Sequence, residues 1–297
     1  MTKTILAALI MVFVFTGCGL AASQDNGPGL DASEITQDDA SCQEEQVDLA
    51  TEAEAAPSPE TEAAGPPEDA SVPDGSEGSE GDNIDEAEAV FDNDLLPDGF
   101  SYLKAENPGI RVDLRFATTN NFTGFVVPGY HSTQAAIMRS DAAAALSDVQ
   151  DCLENEGLGL LVCEAYRPAK ASLFFVEWAK TDDDRMRDEF YPELEKSSLH
   201  SLGYIAEKSI HSCGYSVDLT LVDFSTGEEI DMGSSIDLFG DISSHGTGLI
   251  TAEQTENRNK LKNTMGQFGF SPYSKEWWHY TYSYGKYPNE FFDFDVE

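Results

Sequence analysis

Between residues 141 and 156 apolar side chains recur at helical spacing. Ala142, Leu146, Val149 and Leu153 share one face, which predicts an amphipathic helix over Asp141–Glu156. Gly157 ends it, because glycine enters the left-handed conformation that closes helices at little cost. Leu158–Cys163 is a short apolar run between turn signals and reads as a buried strand. After Arg167-Pro168, Ala169–Lys180 reads as a second helix carrying Phe174, Phe175 and Trp178. Tyr215–Leu221 alternates: Tyr215, Val217, Leu219 and Leu221 face one way, Ser216, Asp218 and Thr220 the other. That is the pattern of a half-buried strand with a polar second face. Thr251-x-x-Gln254 matches a capping box opening a helix that runs to about Met265. Lys275–Tyr284, crowded with Trp and Tyr, reads as a final strand. Strands and helices interleave without a regular βαβ repeat or internal repeat. The expected fold is α+β, a small, largely antiparallel sheet with helices packed on it.

The first third of the chain has a different pattern. Lys3 precedes an apolar run of about ten residues from Ile5 to Phe15, too short to span a bilayer, which needs roughly 20. Met1–Cys18 therefore reads as an export signal. Thr16-Gly17-Cys18 resembles a bacterial lipobox, with Cys18 as the lipidated residue, although Phe15 stands where that pattern prefers Leu. Residues 21–97 contain 23 Asp and Glu, no Lys or Arg, and one aromatic residue, Phe91. Such a segment lacks the apolar surface to offset chain entropy. We read residues 19–97 as a disordered acidic tether, which as a flexible coil would reach roughly 50 Å end to end. Residues 98–297 then form one domain of ordinary size.

The chain carries 55 Asp and Glu against 17 Lys and Arg, a formal charge of −38. This excludes a surface built to hold nucleic acid, which needs clustered cations. The only membrane contact expected is the lipid anchor at Cys18, and no protein partner is inferable. Export permits disulfides, and Cys152, near a helix end, and Cys163, on the next strand, are a candidate pair.

Chemistry concentrates at two of the five histidines. His211 lies in Ser209-Ile210-His211-Ser212-Cys213-Gly214-Tyr215-Ser216-Val217-Asp218, and His279 in Glu276-Trp277-Trp278-His279. Two imidazoles and a carboxylate, with a fourth position for water, make a common catalytic zinc shell. His211 and Asp218 are seven residues apart and would face oppositely on one regular strand; Gly214 can supply the bend that brings them together. Glu276, three residues before His279, is placed to take a proton from a water molecule activated there. Each spacing alone is also what chance or a surface pair produces. Arg167, fixed by Pro168 after a buried strand, can steady a developing oxyanion or simply pair with Glu164.

Taken together these segments resemble the zinc D-alanyl-D-alanine dipeptidases (VanX-type). The likeness runs from about Val112 to Phe294 through Asn121-Phe122-Thr123-Gly124, Tyr166-Arg167-Pro168, Gly203-Tyr204-Ile205-Ala206, Ser209 to Asp218, Asp231-Met232-Gly233-Ser234 and Glu276-Trp277-Trp278-His279-Tyr280. The resemblance implies one zinc ion per chain on His211, Asp218 and His279, with Glu276 as general base and acid and Arg167 as transition-state stabiliser. It places Ser209 and Asp237 against the substrate, Asp237 on the dipeptide's ammonium. Four positions depart from the pattern: Phe116 replaces a substrate-contacting tyrosine, Glu164 an Asp, Cys213 an Arg, and Ser216 an Ala or Thr. None removes a ligand or the base.

The activity implied is zinc-dependent hydrolysis of D-Ala-D-Ala or related D,D-dipeptides outside the cytoplasmic membrane, serving peptidoglycan turnover or scavenging. A D,D-carboxypeptidase or endopeptidase acting on peptidoglycan stem peptides also fits the export signal and tether. So does a non-catalytic zinc-containing wall-binding lipoprotein, although such a protein has no use for Glu276.

Overall fold

The structure, a computed structural model, describes residues 91–286 and 289–297. The export signal, Cys18 and the tether as far as residue 90 lie outside the described residues. In chain order the elements are β1 (Phe100–Tyr102), α1 (Leu103–Glu106), β2 (Arg111–Val112), β3 (Ile137–Arg139), α2 (Ser140–Glu154), β4 (Leu158–Glu164), α3 (Ala169–Trp178), α4 (Arg187–Phe190), β5 (Ser216–Asp223), α5 (Ala252–Gln267), β6 (Phe270–Tyr273) and β7 (Glu276–Tyr282). The main sheet has the order β2-β4-β5-β7-β6. Its β2–β4 pair is parallel and the other three are antiparallel. β1 and β3 form a separate antiparallel pair. This is the α+β arrangement that the sequence predicts.

The apolar patterns account for the packing. Ala142, Leu146, Val149 and Leu153 of α2 are fully buried, and α2 packs against β4. Each buried Leu or Val contributes roughly 1.5–3 kcal/mol relative to exposure. The capping box forms: Thr251 Oγ1 accepts from Gln254 N at 3.2 Å, and Gln254 Oε1 accepts from Thr251 N at 2.8 Å.

Three expectations are corrected. β5 is buried on both faces, with Ser216 and Thr220 at 0 % exposure and Asp218 at 4 %. Ser216 Oγ lies 2.7 Å from Thr281 Oγ1, Asp218 faces His211 and His279, and Thr220 shares a small cavity with the segment 229–235, so the polar face is enclosed rather than solvated. The ordered domain also begins before residue 98. Phe91 packs on Tyr102 with ring centroids 5.3 Å apart. Asn93–Leu95 makes a 3-10 turn, and Asn93 Oδ1 accepts from Tyr102 N at 2.8 Å. The one aromatic side chain of the acidic stretch is what docks it. Finally, Cys152 and Cys163 are both reduced. Cys152 is half-buried on α2, whereas Cys163 sits where the β4–β5 register shifts, under the charges of Arg115, Glu229 and Asp237. Among the described residues no helix is long and apolar enough to cross a membrane.

Candidate metal centre

β5 and β7 are antiparallel neighbours, and Asp218 stands directly opposite His279. Residues so paired project from the same face with Cβ atoms about 5 Å apart. Asp218 Oδ1 lies 3.0 Å from His279 Nδ1. The third group comes from outside the strands. His211 is on a 3-10 turn, Ile210–Cys213, closed by Gly214 at φ 80°. A side chain there would be strained, and its Cβ would meet Phe100 Cε1 at 2.6 Å. The bend turns the chain back into β5, so His211 Nε2 comes 3.5 Å from Asp218 Oδ1 and 3.2 Å from His279 Nδ1. The seven-residue spacing is thereby resolved, by the glycine the sequence points to.

The surroundings fix which imidazole atoms face inward. His211 Nδ1 lies 2.7 Å from Ala165 O. A carbonyl only accepts, so Nδ1 carries the proton and Nε2 presents its lone pair to the cluster. His279 Nε2 is 3.4 Å from Thr281 Oγ1, leaving Nδ1 on the inner side. Ligand atoms of His211, Asp218 and His279 all lie within 4.8 Å of one another. Asp218 Oδ1 is buried yet accepts no hydrogen bond of sound geometry. An orphaned carboxylate oxygen beside two imidazole nitrogens is costly unless a positive charge joins them. The electrostatics agree. Burial favours neutral His211, but the Asp218 and Glu164 carboxylates outweigh it and raise its pKa. Burial pushes the Asp218 carboxyl up, and the imidazoles of His211 and His279 more than reverse this, holding it well below the usual range. The donor set and its unmet need for a cation fit a divalent metal in a zinc-type site.

Glu276 opens β7, is 7 % exposed, and places Oε2 3.9 Å from His279 Nδ1. On a regular strand residues three apart face opposite ways. The β6–β7 register shifts between Pro272 and Tyr273, beside the hairpin, and Glu276 emerges at that irregularity. Both tryptophans between it and His279 are buried, and Trp277 Nε1 donates to Ser234 Oγ at 2.9 Å.

Arg167 both pairs with Glu164 and stands by the cluster. Its Nε donates to Glu164 Oε1 at 2.7 Å, and its Nη2 donates to Oε2. Tyr130 Oη donates to the same carboxylate at 2.6 Å. The guanidinium lies over the Phe175 ring, 5.0 Å from its centroid, with Phe116 at 6.0 Å. Arg167 N donates to His211 O at 3.2 Å. Burial works against the cation, but Glu164 outweighs it and keeps the guanidinium charged. Glu164, across the strand from Asp218, is thus the anchor of Arg167.

Asp237 is buried and is the one non-glycine among the described residues with positive φ, 65°. Burial, then the charges of Asp218 and Glu164, push its carboxyl up to about 7. Strain and a displaced pKa together are what binding sites carry. Ser209 is half-buried and caps the His211 turn, its Oγ accepting from His211 N at 3.3 Å. Phe116 sits in an aromatic cluster with Phe122, Tyr130 and Phe175 at 5.1–5.6 Å. Cys213 is buried and is not one of the converging ligands. Tyr130, as a holder of Glu164, was invisible to sequence reading, because nothing in its local pattern points 34 residues ahead. Arg115 likewise has no sequence signal, although its charge acts on Asp237.

A family model described as D-ala-D-ala dipeptidase, of the M15 peptidases, matches residues 98–297. The D-alanyl-D-alanine dipeptidase of Enterococcus faecium is 36 % identical over 200 residues, covering 67 % of this chain and 98 % of its own length. That of Enterococcus faecalis is 37 % identical over 202 residues, covering 68 % and 100 %. That of Streptomyces coelicolor is 36 % identical over 198 residues, covering 66 % and 98 %. A solved structure of the vancomycin-resistance D,D-pentapeptidase VanY with Zn(II) shows a looser likeness, at 16 % identity and TM-score 0.32 over 51 % of this chain and 76 % of that one.

Proposed function

The chain belongs to the D-ala-D-ala dipeptidase family of metallopeptidases, and from that premise we propose that it is an exported zinc enzyme hydrolysing D-alanyl-D-alanine or a close D,D-dipeptide. The observation that carries this reading is the convergence of His211, Asp218 and His279 with Glu276 beside them. His211, Asp218 and His279 would hold the zinc ion, which would supply Lewis acidity and make a water molecule easier to deprotonate near neutral pH.

The chain's own groups do the rest. Glu276 takes the proton of the attacking water and returns it to the leaving amine. Arg167, held charged and oriented by Glu164, steadies the oxyanion that develops from the peptide carbonyl. Ser209 keeps its hydroxyl hydrogen available for substrate while its oxygen caps the His211 turn. Ionised Asp237 receives the substrate ammonium. Met1–Cys18 would export the chain, a lipid on Cys18 would hold it at the outer face of the membrane, and residues 19–90 would give the domain reach. A dipeptidase so placed would act on fragments released during peptidoglycan turnover.

Asp237 gives a test of substrate binding. Its carboxyl is protonated below about pH 7, so KM is expected to rise as pH falls from about 8 to 6. Asp237→Asn is expected to raise KM about 10- to 100-fold and to flatten that dependence. Stability has the opposite sign. A carboxyl whose folded pKa lies above its unfolded value destabilises the fold as pH rises, from nothing below about 4 to its full effect above about 7. The Asn variant should therefore out-melt the native chain at about pH 8 and not at about pH 4.

The activity itself is tested by measuring free D-Ala released by the zinc-loaded chain from D-Ala-D-Ala and, separately, from a stem pentapeptide. Turnover of the dipeptide alone supports the reading. Turnover of the stem peptide alone makes the chain a carboxypeptidase, and zinc binding with neither leaves a wall-binding protein.

A further inference from the structure

Two of the five converging groups do not sit on strands. Arg167 is in the loop 165–168 and His211 in a single 3-10 turn. Side chains on loops are held less closely than those on sheets, yet a displacement of about 1 Å can cost roughly 100-fold in rate. The two loops brace each other through His211 Nδ1 to Ala165 O and Arg167 N to His211 O. That brace would still drift as a unit unless something behind it holds both parts.

Residues 289–297 run across the back of this pair. Phe292 N donates to Ser212 O at 2.9 Å, and Phe292 O accepts from Ala169 N at 2.9 Å. One residue thereby bridges the neighbour of the metal ligand to the start of the helix that follows Arg167. Phe294 lies flat on Tyr166, the residue before Arg167, with ring centroids 4.1 Å apart and planes 10° from parallel. Tyr166 Oη donates to Phe294 O at 3.1 Å. The segment is itself pinned on either side. Glu290 Oε2 accepts from Arg139 Nη2 at 2.5 Å, and Asp293 Oδ1 from Lys170 N at 2.7 Å. Val296 N donates to Gly129 O, and His131 N to Val296 O.

We propose that residues 289–297 are a positioning strap for the active centre, setting His211 through Ser212 and Arg167 through Tyr166 and Ala169 without touching substrate. Phe294 is the side chain through which the Arg167 side of this is set. The inference rests on the reading of the site as a catalytic zinc centre, and it adds determinants of that centre on a segment that none of the site chemistry uses.

The test compares the full chain with Phe294→Ala, Phe294→Tyr and a chain ending at Phe291. The first readout is Zn(II) affinity by competition with a chelating dye. The second is kcat and KM on D-Ala-D-Ala. Phe294→Ala and the shortened chain are expected to bind Zn(II) about 10-fold more weakly, the scale of losing a group that orients a ligand. Their kcat is expected to fall about 10-fold or more with little change in KM. Phe294→Tyr keeps the stacked ring and is expected to restore both. Variants that melt lower yet match the full chain in Zn(II) affinity and in kcat would overturn the proposal, reducing the strap to a stability element. If the shortened chain does not fold, the Phe294 pair decides alone. If the full chain turns over no D,D-dipeptide, the functional reading fails separately, and Zn(II) affinity still decides whether the strap sets His211.

Discussion

Replacing Glu276 by alanine is expected to lower kcat on D-Ala-D-Ala by about 10³- to 10⁴-fold while one zinc ion stays bound. General acid–base catalysis is worth roughly 10²–10⁴, and this carboxylate is asked both to accept a proton and to return it. It is buried, next to the cluster and outside it. Its Oε2 is 3.9 Å from His279 Nδ1, and the side chains placed to hold a metal are His211, Asp218 and His279 without it. Zinc content by elemental analysis and turnover of the same sample separate the two roles. Loss of zinc along with activity would make Glu276 a ligand, and retained activity would remove it from the reaction.

Arg167 is expected to show two separable losses. Arg167→Ala leaves Glu164 buried at 2 % exposure with the Tyr130 hydroxyl and no guanidinium. Breaking a buried pair from one side costs about 3–5 kcal/mol, which urea unfolding will read. Turnover should fall by about 10²–10³, the scale of a lost oxyanion donor. The double variant Arg167→Met, Glu164→Gln removes both charges together. It is expected to recover most of the stability and none of the turnover. Recovery of activity in the double variant would mean that Arg167 serves only to satisfy Glu164.

α2, β5 and α5 were legible in the sequence because their signals are local: a 3.6-residue stripe, strict alternation, and a side chain capping a backbone three residues on. The approach of His211 to Asp218 was legible because Gly214 marks a bend between them, and the bend is there. β1, β2 and β3, two or three residues each, are too short for any period to register. The burial of Ser216 and Asp218 comes from Thr281, His211 and His279, and Thr220 lies beside the segment 229–235, neighbours whose positions no local pattern encodes. Alternation shows which face is polar and does not show whether something covers it. The Glu164–Arg167–Tyr130 network was half legible, since the first two are three residues apart and the third arrives from another loop. Residues 91–97 are the opposite case, docked by Phe91, Asn93 and Leu96 despite the acidic side chains among them.

Whether His211, Asp218 and His279 together hold one metal ion is tested most directly by titrating the metal-free chain with Zn(II) beside Asp218→Ala. Uptake of one tightly held equivalent by the native chain, with that equivalent lost in the variant, is the expected result. Equal binding by both chains, or no binding by either, would contradict it.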